Sequence, residues 1–216
     1  MTKISSKDAS IRNLELCKIA PVIPVLIIED ISSARGLGEA LVAGGLPVLE
    51  VTLRTQCALQ AISEMSKIKG GIVGAGTLIT YNDVKNAVDA GATFGVSPGA
   101  TDNLIDACEE AGLPLLAGVS SASEAMALLE KGYSVQKFFP AEAAGGAAFL
   151  KSLSSPLPQI TFCPTGGISQ KNALNYLASS NVECVGGSWV APKEAIANRD
   201  WQQIEDLAKD AVRELS

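Results

Sequence analysis

One phrase recurs along the chain: a stretch with helically spaced apolar positions, a small-residue stop ending in glycine, then a short apolar run. Ala43-Gly44-Gly45 precedes Leu46–Val51, Lys69-Gly70-Gly71 precedes Ile72–Ala75, and Ala90-Gly91 precedes Ala92–Val96. Ala111-Gly112 precedes Leu113–Leu116, and Lys131-Gly132 precedes Tyr133–Phe139. Glycine just past a helix end tolerates the left-handed conformation that closes the helix. An apolar run directly after it reads as a strand returning to a sheet. Further strands are expected at Val22–Ile28, Gln159–Cys163 and Val182–Gly186, with an N-terminal helix over about Lys7–Lys18. Pro24 lies inside the first run and loosens its limits. The charged stretch from Ala195 to Ser216 reads as an amphipathic surface helix.

Eight apolar runs alternating with helices, with no linker or change of composition, point to an α/β protein. The expected fold is a (β/α)₈ barrel with an N-terminal helix, one domain over residues 1–216. An open doubly wound sheet is the alternative. Such a sheet carries a glycine-rich turn after its first strand, and Glu29-Asp30-Ile31-Ser32-Ser33 is not one.

Composition narrows the chemistry. The 216 residues are 47% hydrophobic but only 5% aromatic, which suits helices packed on a buried parallel sheet. Net charge is −6 and no Lys/Arg run interrupts it, so no nucleic-acid partner is expected. An anionic substrate must then be held by a few local donors. The five cysteines are odd in number, dispersed and without a CxxC, and read as reduced thiols rather than a disulfide frame. The N-terminus is polar and shows no secretory signal. The most apolar stretch, Pro21–Ile28, is too short to span a bilayer. A cytoplasmic protein with no membrane partner is expected. There is no histidine, which removes the commonest general base and transition-metal ligand and disfavours zinc hydrolysis and Ser-His-Asp chemistry.

Barrel active sites lie where strands end. Glu50, Thr52 and Arg54 are spaced to share one face of the second strand, with Val51 and Leu53 opposite. The polar trio should point inward, where it forms either a structural Glu50–Arg54 ion pair or part of a site. Lys137 lies within the apolar run Val135–Phe139, in phase with both of those residues. A lysine snorkelling from a strand end is the ordinary reading. Desolvation beside an inward carboxylate instead favours the neutral amine, a nucleophile toward carbonyls. Gly74-Ala75-Gly76-Thr77 and Ser97-Pro98-Gly99 leave room at two strand ends, or simply pack a narrow barrel. Pro164-Thr165-Gly166-Gly167-Ile168-Ser169 and Gly186-Gly187-Ser188 follow the last two strands. Loops at that pair of positions often bind phosphate through backbone N–H groups, which glycine lets approach closely.

Several blocks together carry a resemblance: Leu49–Thr55, Val73–Thr77, Val96–Gly99, Lys137–Glu142, Phe162–Ser169 and Val185–Trp189. In order and spacing they resemble the 2-keto-3-deoxy-6-phosphogluconate / 4-hydroxy-2-oxoglutarate aldolases, over nearly the whole chain. The resemblance implies that Lys137 forms a Schiff base and Glu50 is the general acid/base. It assigns Arg54 and Thr77 to the substrate carboxylate, and Pro98 and Phe139 to the pocket wall. Thr165, Gly166, Gly167, Gly187 and Ser188 would hold the distal phosphate. It also implies a homotrimer acting on a phosphorylated keto acid and releasing pyruvate, with no metal and no cofactor. Gln136 and Ala117-Gly118-Val119 depart from the family pattern but touch no named catalytic role. The galactonate-epimer aldolase stands as an alternative activity. A metal-free sugar-phosphate isomerase would share the phosphate loops but has no need of a lysine in an apolar strand.

Overall fold

The computed structural model describes residues 2–216. Its strands are β1 Val22–Leu26, β2 Val48–Thr52, β3 Ile72–Gly76, β4 Gly95–Val96, β5 Leu115–Leu116, β6 Gly118–Val119, β7 Val135–Phe138, β8 Thr161–Pro164 and β9 Val185–Gly187. The helices are α1 Ser6–Cys17, α2 Ala34–Ala43, α3 Ala58–Met65, α4 Tyr81–Asp89, α5 Asp102–Ala111, α6 Ala122–Glu130, α7 Gly146–Leu153, α8 Ala173–Leu177, α9 Lys193–Asn198 and α10 Trp201–Leu215. All strand pairs are parallel. They form a six-stranded sheet ordered β5-β4-β3-β2-β1-β9 and a three-stranded sheet ordered β6-β7-β8. Neighbours follow chain order, except that the last strand pairs with the first. The order reversal of a doubly wound sheet does not occur among the described residues, which removes that alternative.

The strands are buried on both faces, and their alternation sorts residues into two cores. Leu49, Val51, Val73, Ala75, Phe138, Phe162 and Val185 face the helices within the larger cluster. Ile23, Val48, Val96, Leu116, Val135 and Cys163 form a second cluster on the opposite, inner face. Leu14, Leu16 and Cys17 at the end of α1 pack against that inner cluster, whose members Val48 and Val135 begin their strands. The N-terminal helix therefore closes the strand-start end and leaves the strand-finish end for chemistry.

Three details depart from the periodicity reading. The fifth apolar run is divided at Ala117, because its first half pairs with β4 and its second half with β7. Gly118 makes the shift possible: a methyl group there would stand 2.6 Å from the Ser97 carbonyl oxygen. The first strand stops at Leu26 instead of Ile28. The C-terminal helix breaks in two, with Arg199 in the left-handed conformation (φ 54°) closing α9. Asp200 then accepts from the Gln203 N–H and starts α10.

Candidate active site

Glu50 is the middle residue of β2 and lies in phase with Val48, a member of the inner cluster. Lys137 stands two residues after Val135 on β7 and is also directed inward. The two side chains meet: Lys137 Nζ lies 3.4 Å from Glu50 Oε1, with the side chains 7% and 4% exposed. The Phe139 ring centroid is 5.3 Å from the same nitrogen and offers its electron-rich face to the cation. Two opposite charges removed from water in this way gain little net stability, because desolvation offsets their attraction. A buried charge pair on the inner face of two strands, where it adds little to stability, is a candidate for chemistry.

Glycine makes room for the carboxylate. A methyl group on Gly76, at the end of β3, would stand 2.7 Å from Glu50 Cγ and 2.9 Å from its Cδ. Thr52 points the same way but is satisfied by the fold, its hydroxyl donating to the Leu26 carbonyl at 2.8 Å. Arg54 is not brought to the pair. β2 ends at Thr52, where the Leu53 N–H donates to Gly76 O at 2.8 Å, and the chain turns. Arg54 then lies exposed in that turn, so the Glu50–Arg54 ion pair considered from spacing is replaced by Glu50–Lys137.

Thr77 follows β3 directly with φ 65°, a left-handed conformation that a β-branched residue seldom adopts. Strain held at a strand end is a pointer to function. Pro98 is exposed and borders Gly118, whereas Phe139 is half-buried beside the lysine. The loops after β8 and β9 touch through a parallel bridge between Thr165 and Gly186. Thr165 is buried, and Gly166 (φ 104°) and Gly167 (φ 77°) are both left-handed. Ser188 is exposed just after β9, and a cavity of about 180 Å³ lies between it, Val25, Ile27 and Lys193. Gly187 has no room for a side chain, since a methyl group there would collide with the Trp189 ring.

Two neighbours of the site carry no role in the pattern reading. Glu142 ties the loop after β7 to the loop after β8: its N–H donates to Gly166 O at 3.1 Å, and Tyr176 donates to its carboxylate. Burial, and then Glu142, push the Tyr176 hydroxyl pKa upward. A carboxylate directly after the lysine strand was the available signal. Cys163 is the register partner of Lys137 on β8. The adjoining Cys17 thiol, and next Cys184, hold Cys163 well below the usual thiol range, and the Lys137 ammonium adds to this.

Comparison with known proteins gives the same picture. The family model for KDPG and KHG aldolases matches residues 14–207. The 2-dehydro-3-deoxy-phosphogluconate aldolase of Pseudoalteromonas atlantica is 46% identical over 208 residues, covering 96% of this chain and 97% of that protein. The 2-keto-3-deoxy-6-phosphogluconate aldolase of Zymomonas mobilis, solved with 3-phosphoglycerate, superposes with a TM-score of 0.89 at 47% identity, covering 93% and 95% of the two chains. The KDPG aldolase of Legionella pneumophila, with pyruvate captured at low pH as a covalent carbinolamine, superposes with a TM-score of 0.89 at 46% identity, covering 92% and 97%.

Proposed function

The chain belongs to the KDPG and KHG aldolase family, and from that premise we propose that it is a metal-independent class I aldolase. Its substrate on this reading is 2-keto-3-deoxy-6-phosphogluconate, cleaved to pyruvate and glyceraldehyde 3-phosphate. 4-Hydroxy-2-oxoglutarate, which would give pyruvate and glyoxylate, is a second substrate of the same chemistry. The observation that carries the proposal is the inward Lys137–Glu50 pair, 3.4 Å apart and nearly sealed from solvent.

The reaction follows from that pair. Lys137 gives up a proton and its amine attacks the substrate ketone; Glu50 is the base in reach. Glu50 hands that proton to the departing hydroxyl and is a carboxylate again, and loss of water leaves a protonated imine, an electron sink next to the bond to be cut. Glu50 then takes the proton of the hydroxyl two carbons from the imine carbon. The carbon–carbon bond breaks, its electron pair moves to the imine nitrogen, and the aldehyde leaves. Glu50 returns a proton to the carbon terminus of the enamine, and hydrolysis frees pyruvate and the amine. One carboxylate serves twice, which explains why Gly76 keeps space around it.

The remaining roles extend this reading. Thr77 and Arg54 bind the substrate carboxylate, Arg54 by swinging in from its exposed turn, and a guanidinium suits that task through paired parallel hydrogen bonds. Pro98 and Phe139 wall the pocket. Thr165, Gly166, Gly167, Gly187 and Ser188 hold the phosphate, a reading supported by the bridge that joins the two loops. The two sheets close as one eight-stranded barrel and one domain. Ala117 alone separates β5 from β6, and the Thr165–Gly186 bridge spans β8 and β9. A homotrimer is the proposed assembly, for which Ile79 and Tyr81, both exposed at the start of α4, offer an apolar patch. A cytoplasmic location fits five free cysteines and the absence, among the described residues, of any helix long and apolar enough to cross a membrane.

The test is pyruvate release, followed through coupled lactate dehydrogenase, on the phosphorylated gluconate, its galactonate epimer and 4-hydroxy-2-oxoglutarate. Cleavage is expected to be fastest on the first, and lost in Lys137→Ala. No pyruvate from any of the three would end the proposal.

A further inference from the structure

Beneath the Lys137–Glu50 pair the inner core holds a group of side chains that the aldol chemistry does not use. Cys17 at the end of α1, Cys163 on β8 and Cys184 just before β9 converge there from three separate segments. All three are buried, at 2%, 2% and 0% exposure, and their sulfurs lie within 4.8 Å of one another. They share an apolar cluster with Ile23, Val48, Phe94, Val96, Leu116 and Val135, and Lys137 and Thr165 adjoin Cys163 on its other side. We propose that Cys17, Cys163 and Cys184 form a three-sulfur binding site for Cu(I) at the closed end of the fold.

The donor set selects the ion. Metal–sulfur bonds of about 2.3 Å in a trigonal plane hold the sulfurs about 4 Å apart, within the spacing found. Zinc prefers four ligands. The chain has no histidine to supply a fourth, and no carboxylate joins the cluster among the described residues. Soft thiolates without a hard donor favour Cu(I). A second observation points the same way. Asn13 lies one helical turn before Cys17 on the buried face of α1, 1% exposed, and neither atom of its carboxamide has a partner. Its free N–H donor, on the face of α1 that carries Cys17, would serve the loaded site as an outer-shell partner. Binding exchanges S–H bonds for Cu–S bonds, the protons leave to solvent, and the oxidation state of copper does not change. The occupied site would tie α1 to β8 and to the start of β9.

The experiment titrates the reduced full-length chain with Cu(I) under anaerobic conditions against a chromophoric Cu(I) chelator. It is done in a Cys57→Ser background, because Cys57 is the one thiol that is not buried. One Cu(I) per chain is expected to be retained, with X-ray absorption showing three sulfur neighbours. Cys17→Ser, Cys163→Ser and Cys184→Ser should each weaken binding by more than about 100-fold, since loss even of outer-shell partners costs about 10–100-fold. Copper lost to the chelator, or bound by two sulfurs or by nitrogen, overturns the proposal. So does retention undiminished in the triple serine variant. The sulfur count is read on the Cys57→Ser protein, which keeps all three clustered thiols, so the test stands even if one of their serine variants fails to fold.

Discussion

Replacing Lys137 by methionine leaves the Glu50 carboxylate only 4% exposed, with no cation against it. Replacing Glu50 by leucine leaves the ammonium in the same position, 7% exposed beside the Phe139 ring. Breaking a buried pair from one side costs about 3–5 kcal/mol, because one charge stays desolvated and uncompensated. A chain of this size loses roughly 2–4 °C in melting midpoint per kcal/mol, so each single variant should melt roughly 6–20 °C below the parent. The double variant K137M/E50L carries no buried charge and sets two apolar side chains against the inner cluster. Such replacements are commonly neutral, or stabilising by about 1–4 kcal/mol. The double variant should therefore melt near or above the parent and have no aldolase activity. Urea and thermal unfolding of the four proteins measure this directly. If both single variants lose under about 1 kcal/mol, as exposed pairs do, the pair is solvated and the account of a sealed, function-bound charge pair is wrong.

Two further substitutions probe the ends of the site. Thr77→Gly releases a left-handed threonine: relief of about 1–2 kcal/mol, less about 0.4–1 kcal/mol for the freer unfolded chain, gives a net gain of roughly 0–1.6 kcal/mol. It should also lower kcat/KM by removing the hydroxyl, and a loss of stability would show that φ 65° carries no strain here. Gly186→Ala puts a methyl group 2.9 Å from Thr165 Cγ2 and against its hydroxyl. It should raise KM for the phosphorylated gluconate by at least about tenfold, equivalent to about 1.4 kcal/mol, and leave 4-hydroxy-2-oxoglutarate cleavage nearly unchanged. Equal losses on both substrates would mean that the loop pair does not read the phosphate.

Legibility in the sequence followed the physics of period and punctuation. Strands that follow a glycine stop were visible because the stop and the apolar run are both local signals. Gly45, Gly70, Gly91, Gly112 and Gly132 all take positive φ at those stops. The inward direction of Glu50 and Lys137 was visible because a period of two is intrinsic to a strand. The same period misled at Arg54, because parity says nothing about where a strand stops, and β2 ends two residues earlier, where its last bond to β3 joins Leu53 N–H to Gly76 O. The division of the fifth run at Ala117 was hidden for a related reason, since it depends on which neighbour each half pairs with. Nor could spacing bring Cys17 beside Cys163, 146 positions later, or reveal the left-handed Thr77; both are products of closure, not of local pattern.

The most direct measurement is covalent. Incubating the protein with pyruvate, reducing with borohydride, digesting and weighing the peptides should place one reduced pyruvyl adduct on the peptide carrying Lys137. None should appear without pyruvate or in K137M. An unmodified Lys137 peptide, or an adduct carried by another lysine, would contradict the assignment of that amine as the attacking group.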